Sequence, residues 1–224
     1  QIGAEAFVRW KSSELGFLLP DKFIPVFERN GFIIPIDYFV LEEVCKLQRG
    51  RLNAGKSVVP LSPNQSHLHL FEESYLRNMK SIIKKYKLPK NIIKLEFQEK
   101  AFNSLLSLEQ RSRINNIINE LRKLGFKVSI DHFGAGNSSY SMLNYLNVDE
   151  VKIHRSILHS SIDSDRTRSI LESIINLSKR LNLKVICEGI ETKAQEKLLL
   201  ELGCHYGQGF LNDESRPDSE FLTL

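Results

Sequence analysis

The sequence predicts an α/β fold in which parallel strands close into a (β/α)8, or TIM-type, barrel, and three observations point there. Apolar runs of strand length alternate with amphipathic helical stretches along the chain. Almost every strand run ends in a polar or charged residue: Ser62, Glu96, Asp131, Lys152, Glu188 and Gln208. The 224 residues contain no proline-, glycine- or serine-rich linker, which suits a single barrel domain over 1–224 better than two smaller units. In a parallel barrel the carboxyl ends of the strands meet on one face, so polar exits far apart in sequence converge. An open doubly wound sheet would gather them mainly at one switch point, and the barrel is preferred for that reason.

Taken in order, Ile2 to Trp10 (IGAEAFVRW) alternates as a strand and places Glu5 among small and apolar neighbours. Pro20 to Phe32 reads as a turn and short helix, and Asp37 to Leu47 as a helix with Val40, Val44 and Leu47 at helical spacing. Ser57 to Leu61 (SVVPL) is the next strand; its Pro60 has no N–H for a sheet ladder, and Ser62 is its polar exit. Glu73 to Tyr86 is helical, and Asn91 to Phe97 (NIIKLEF) is a strand bearing Glu96, with Glu99 three residues on. Ile114, Ile117, Ile118, Leu121 and Leu124 form a helical stripe closed by Gly125.

Lys127 to Ile130 then forms a buried strand ending at Asp131. Gly134 and Gly136 permit a sharp turn after it, and Asn137-Ser138-Ser139 offers a helix cap. A helix through Met142, Leu143 and Leu146 precedes the strand Glu150 to Ile153, which presents Lys152 with His154 just beyond. Arg166 to Leu181 is an amphipathic helix, Lys184 to Cys187 a strand, Ala194 to Leu202 a helix, and the last strand lies near His205 to Leu211. Seven strand candidates result, one short of closure, so the first strand lies upstream of Gln1 or the barrel is open there.

Composition narrows the function classes. A net charge of +4, from 31 basic and 27 acidic residues, is no nucleic-acid signature, and DNA or RNA is not expected as a partner. Lys84, Lys85, Lys87, Lys90 and Lys94 read as a solvated helix end and loop rather than a phosphate patch. Cys45, Cys187 and Cys204 lack CxxC spacing and are expected as reduced thiols in a cytoplasmic protein. His67 and His69 read as a surface helix feature. No apolar run reaches membrane-spanning length and no signal peptide is visible.

The converging groups suggest chemistry. Glu5, Glu96, Asp131 and Glu188 offer oxygen ligands for divalent cations, and Lys152 offers a charge for a phosphate. A salt-bridged barrel end, with Lys152 pairing the acids, fits the spacing equally well. Gly134-Ala135-Gly136 also resembles part of a dinucleotide fingerprint, but Ser139 stands where its third glycine should be.

The stretches AEAFVRW, LEFQE, IDHFGAGNSS, VDEVKIH, CEGIET and GQGF, in this order and spacing, resemble the EAL domain of bacterial cyclic di-GMP signalling, and the resemblance covers essentially the whole chain. It implies a modified (β/α)8 barrel that hydrolyses cyclic di-GMP to the linear dinucleotide with two Mg2+ or Mn2+ ions at the carboxyl face of its strands. By resemblance Glu5, Glu96, Asp131 and Glu188 match metal ligands, Lys152 the lysine near the attacking water, and Glu99 the residue holding the loop after Asp131. Gln208 matches the polar group of the last strand, and Arg9 and Phe7 fall in the ligand-binding part. The family also has a strand with a Tyr-Gln-Pro motif ahead of the first motif, the strand missing from the count.

Departures from the family pattern are specific. Pro60 stands in VPLS where active members have the asparagine of VNLS, His132 replaces the second of two aspartates, and His154 replaces the aspartate of Lys-Ile-Asp. The triplet reads Glu5-Ala6-Phe7 without its leucine, and the closing segment GQGFLNDESRP is longer than usual and lacks its second aromatic. Neutral His132 remains a donor for a softer ion such as Mn2+. The resemblance with these losses implies a degenerate member, part of a longer signalling protein, that binds cyclic di-GMP or regulates with weak or no hydrolysis and holds no ion if inactive. An active two-metal phosphodiesterase and a protein-binding scaffold without nucleotide binding are the alternatives; the candidate partners are cyclic di-GMP, another protein and a second copy of the chain as a homodimer.

Overall fold

The structure, a computed structural model, describes residues 2–102, 106–135, 140–159 and 164–211. Among the described residues seven strands form one parallel sheet: β1 (Ala4–Ala6), β4 (Leu61–Gln65), β5 (Lys94–Gln98), β6 (Lys127–Phe133), β7 (Glu150–Ile153), β8 (Lys184–Glu188) and β9 (Gly207–Gln208), in that spatial order. Two further strands, β2 (Trp10–Ser12) and β3 (Gly16–Leu18), pair as an antiparallel hairpin apart from the sheet. Helices connect the parallel strands: α1 (Pro20–Asn30) and α2 (Ile33–Asn53), α3 (Tyr75–Tyr86), α4 (Leu108–Lys123), α5 (Arg155–His159) and α6 (Asp165–Arg180), and α7 (Lys193–Glu201).

Register assigns a face to every side chain. In parallel pairs the partnered residues point to the same side, and successive residues alternate. The pairs Glu5↔Ser62, Asn64↔Glu96, Glu96↔Ser129, Ser129↔Glu150, Lys152↔Ile186 and Glu188↔Gln208 therefore put one row of mostly polar residues on the inner face. The alternate row, Leu95, Phe97, Val128, Ile130, Val151, Ile153, Val185 and Cys187, is buried and apolar. It meets Leu41, Met79, Ile118, Leu121, Leu171 and Ile175 from the helices in one continuous core. Each such aliphatic side chain contributes about 1.5–3 kcal/mol by leaving water, so the outer row anchors the sheet and leaves the inner row free to be polar.

Local chemistry sets the helix ends. Ser107 and Gln110 form a capping box ahead of α4, whose Ile114, Ile117, Ile118 and Leu121 are buried as the spacing predicted. Gly125 follows at φ 99°, where a Cβ would collide with Lys90. Thr192 and Gln195 cap α7 in the same way. Gln48, fully buried on α2, donates to the carbonyls of Val59 (2.7 Å) and Ile92 (3.1 Å) and so fixes where β4 and β5 enter the sheet.

Several expectations are corrected. The strand expected over Ser57 to Leu61 lies at Leu61–Gln65, with Pro60 ahead of it. Its period-2 run of polar residues, Ser62 and Asn64, marks an inward face, and Pro63 is tolerated because Ala6↔Pro63 is the last pair of the β1–β4 ladder. Ile2 to Trp10 is not one strand: β1 stops at Ala6 and Trp10 opens the hairpin, where it packs on Phe23 and Phe27. The stretch through Met142 is a 3-10 turn, Tyr140–Asn144. His69 is no surface residue: it is fully buried, with Nε2 3.1 Å from Asp37 and Nδ1 3.3 Å from Glu72. Lys94 is not solvated but pairs inside the barrel with Glu150 at 2.6 Å. The Asn137-Ser138-Ser139 cap and the closing segment from residue 212 lie outside the described residues. Among the described residues no helix is long and apolar enough to cross a membrane.

Candidate functional site

The inner face is built in two layers. Toward the amino ends of the strands, Glu150 accepts from Lys94 (2.6 Å) and Ser129 (3.3 Å), with Lys184 at 3.8 Å. One step toward the carboxyl ends lies Lys152, 1% exposed, with carboxylates from four other strands on its single ammonium. Glu5 of β1 is in direct contact, Glu96 of β5 lies at 3.0 Å, Asp131 of β6 at 3.3 Å and Glu188 of β8 at 3.0 Å. β1, first in the sheet order, and β8, next to last, reach one nitrogen, which requires the sheet to curl as in a barrel.

Four acids against one base leave an excess of negative charge. Burial is the largest influence on both Glu96 and Glu188: Glu96 is pushed up to about 8 and Glu188 to about 7, even though Lys152 pulls both down. Burial works against the charge on Lys152, but Glu96, Glu5, Asp131 and Glu188 together hold its pKa well above the ordinary lysine value. Asp131 Oδ1 is buried and accepts no hydrogen bond from the described residues. The salt bridge read from the sequence is thus formed, and it involves the same four acids that the sequence offered as oxygen donors.

The stretch after Ile130 explains how consecutive residues both reach the inner face. Between the pairs Ile130↔Val151 and Phe133↔Ile153 the β6–β7 register slips, so Asp131 and His132 together oppose Lys152 in a bulge. His132 takes the left-handed conformation, φ 58°. Its Nε2 lies 3.5 Å from Asp131 Oδ2, and its ring meets that of His154 edge to face, centroids 4.8 Å apart. Ligand atoms of Asp131, His132 and Glu188 all lie within 4.8 Å of one another. Glu99, in the 3-10 turn after β5, accepts the Gly134 N–H at 3.0 Å and ties down the start of the following loop.

Other residues singled out from the sequence lie nearer the rim. Gln208 is exposed on β9 opposite Glu188. Phe7 and Arg9 follow β1, with the Arg9 guanidinium 5.5 Å from the Phe7 ring centre. Pro60 immediately precedes β4, its carbonyl accepting the Ala4 N–H at 3.0 Å, four residues short of Asn64. The polar residue of β4 in register with Glu96 is Asn64, which the sequence reading passed over. Alternation of polar residues through Leu61-Ser62-Pro63-Asn64-Gln65 was the signal that could have found it.

The sequence profile of the EAL domain matches residues 1–215. Over 222 residues the chain is 31% identical to the bifunctional diguanylate cyclase/cyclic di-GMP phosphodiesterase MucR of Pseudomonas aeruginosa, covering 99% of this chain and 32% of that protein. It is 32% identical over 221 residues to the probable cyclic di-GMP phosphodiesterase PdeB of Escherichia coli, covering 99% of this chain and 41% of that one. The chain spans about a third of the length of the curated relatives it matches. Among solved structures it is similar to the PaMucR phosphodiesterase in complex with c-di-GMP, with TM-score 0.87, 30% identity, and 98% of this chain and 87% of that chain covered. The FimX EAL domain from Pseudomonas aeruginosa bound to c-di-GMP shares the fold at TM-score 0.80 and 19% identity, over 92% of this chain and 80% of that chain. With a curled parallel sheet, a carboxylate-lined inner face and a profile match over nearly its whole length, this chain belongs to the EAL domain family.

Proposed function

We propose that this domain binds cyclic di-GMP at the carboxyl face of its barrel in a cation-dependent manner, and that its hydrolysis to the linear dinucleotide is weakened by His132. One observation carries the reading: four carboxylates converge on Lys152, more negative charge than one ammonium neutralises. The residues fit divalent cations. Glu5, Asn64, Glu96 and Asp131 supply oxygen donors for one, and Asp131 and Glu188 supply oxygen beside His132 for a second. Such ions, when bound, give a phosphodiester the charge stabilisation that in-line displacement needs.

The chain's own residues have separate tasks. Lys152 holds the four acids together and is placed to offset charge on a phosphate oxygen. Glu99 holds the loop at Gly134 and so orients the bulge that carries Asp131 and His132. Arg9 and Phe7 at the rim offer a guanidinium for phosphate and an aromatic face for a base. Asn64 changes the balance drawn from the sequence: with it in register with Glu96, the oxygen donor thought lost at Pro60 is present four residues later. His132 and His154 then remain as departures near the site, and reduced rather than abolished turnover follows. The attached domains, protein partners and any homodimer belong to the longer protein of which we take this domain to be part.

Calorimetric titration with cyclic di-GMP in Mg2+, Mn2+ and EDTA, with chromatography of the linear product, tests the reading. The expected result is cation-dependent binding with slow product formation. No binding under any of these conditions would overturn it and leave the scaffold alternative.

A further inference from the structure

We propose that Asp131, His132 and Glu188 form a mixed nitrogen and oxygen cation position that takes a borderline transition-metal ion of the Zn2+ class in preference to Mg2+. This rests on the cation-binding reading above and specifies which ion the second position selects. The three donor groups come from a strand bulge and the adjoining barrel wall, and their ligand atoms lie within 4.8 Å of one another. Ligands around a tetrahedral ion with bonds of about 2.0–2.2 Å sit closer than that, so shifts of about an ångström close the cluster.

A second, independent observation points to a ligand. Asp131 Oδ1 is buried and accepts no hydrogen bond from the described residues, and its charge partner, Lys152 Nζ at 3.3 Å, is shared with Glu5, Glu96 and Glu188. A buried carboxylate oxygen without a hydrogen bond is costly and is relieved by a cation. The backbone commits to presenting the imidazole: His132 sits at φ 58°, and the bulge keeps it on the same face as Asp131. His154 packs edge-on against it at 4.8 Å, and its Nδ1 pairs with Ser156 Oγ at 2.9 Å, which fixes that ring as a wall for His132.

Donor chemistry then sets the ion. Mg2+ binds oxygen in near-ideal octahedral geometry, whereas imidazole nitrogen suits Zn2+, Co2+ and Ni2+. One histidine with two carboxylates leaves positions open, as a catalytic rather than a closed structural site does. Replacing an anionic oxygen donor by a neutral nitrogen also lowers the local negative charge, which weakens a hard ion more than a borderline one.

The test needs no nucleotide. The metal-free protein is titrated calorimetrically with Zn2+ and, separately, Mg2+, and with Co2+ followed by its visible d–d absorption. The same is done for His132→Asp, His132→Asn and a His67→Ala/His205→Ala control. The expected result is a Zn2+ to Mg2+ affinity ratio at least tenfold higher in the parent than in His132→Asp, Mg2+ binding that tightens in that variant, and loss of the Co2+ band in both His132 variants. The control should match the parent. An unchanged ratio in His132→Asp, or an equal change in the control, overturns the proposal. Because Mg2+ affinity is expected to rise in His132→Asp, misfolding cannot imitate the expected result. Zn2+ selectivity without nucleotide binding would sink the proposed function and leave this inference standing; nucleotide binding with a His132-independent ratio does the reverse.

Discussion

Replacing Lys152 by methionine removes the ammonium on which Glu5, Glu96, Asp131 and Glu188 converge while keeping most of the side chain's volume. Breaking a buried charge cluster by deleting one partner costs about 3–5 kcal/mol, because the remaining charges lose their compensation. The cost should depend on pH, and its sign follows from the two raised acids. Glu96 and Glu188 lie at about 8 and about 7 in the fold, raised from 4.5. A raised acid contributes its stability fully below its unfolded value, and that contribution is lost as pH rises through its folded value. At pH 5.5 both groups are protonated and Lys152 has fewer charges to offset; at pH 8 the parent ionises them beside the ammonium, whereas Lys152→Met loses the pull of that charge, raises both acids further and must keep them protonated or bind an added ion.

Urea unfolding of the parent and Lys152→Met in EDTA should therefore show a loss of about 1 kcal/mol or less at pH 5.5 and about 3–5 kcal/mol at pH 8. Adding Mn2+ at pH 8 should recover part of it by binding the folded state. Equal destabilisation at the two pH values, with no recovery by cations, would refute the reasoning: Lys152 would then act by packing alone.

The remaining predictions concern the walls of the same face. Asn64→Ala should weaken cation-dependent cyclic di-GMP binding about tenfold or more by calorimetry, while Pro60→Asn should not improve it, since Pro60 lies ahead of β4 toward its amino end and Asn64 is the residue level with Glu96. If Pro60→Asn strengthens binding and Asn64→Ala leaves it unchanged, the register argument fails. Glu99→Ala frees the Gly134 N–H and should raise KM for cyclic di-GMP and speed hydrogen exchange at Gly134 without lowering the melting temperature by more than a few degrees. Burial opposes the charge on Asp149, yet Lys127, the Val128 N–H and Arg122 hold its pKa below 3.8. Its stability is present above that value and is lost as pH falls through the folded one. Asp149→Asn should accordingly cost about 1.5–3 kcal/mol at pH 7 and progressively less below pH ~3 in denaturant titrations.

Much of this molecule was legible in its sequence because short-range chemistry produced the signal. The stripe Ile114, Ile117, Ile118, Leu121 gives α4 and Gly125 ends it; Glu150 to Ile153 is the strand expected. Polar exits at Glu96, Asp131, Lys152 and Glu188 foretold a charged end to the barrel, since an apolar strand carries an ionisable group only where something receives it. His69 and Lys94 were misread for the same reason in reverse: nothing nearby in sequence reveals that Asp37 or Glu150, tens of residues away, waits to pair with them.

What the sequence alone determined was the alternation of strands and helices, the family resemblance and the set of acids around Lys152. Tertiary structure decided which residue of each strand stands beside which. Only the β4–β5 register shows that Asn64, and not Pro60, is level with Glu96, and only the bulge in β6 turns Asp131 and His132 to the same side. The reason is geometric: a side chain's face alternates with every residue, so an error of a few positions in a strand's bounds misassigns its layer, and the true bounds are fixed by hydrogen bonds to strands distant in the chain.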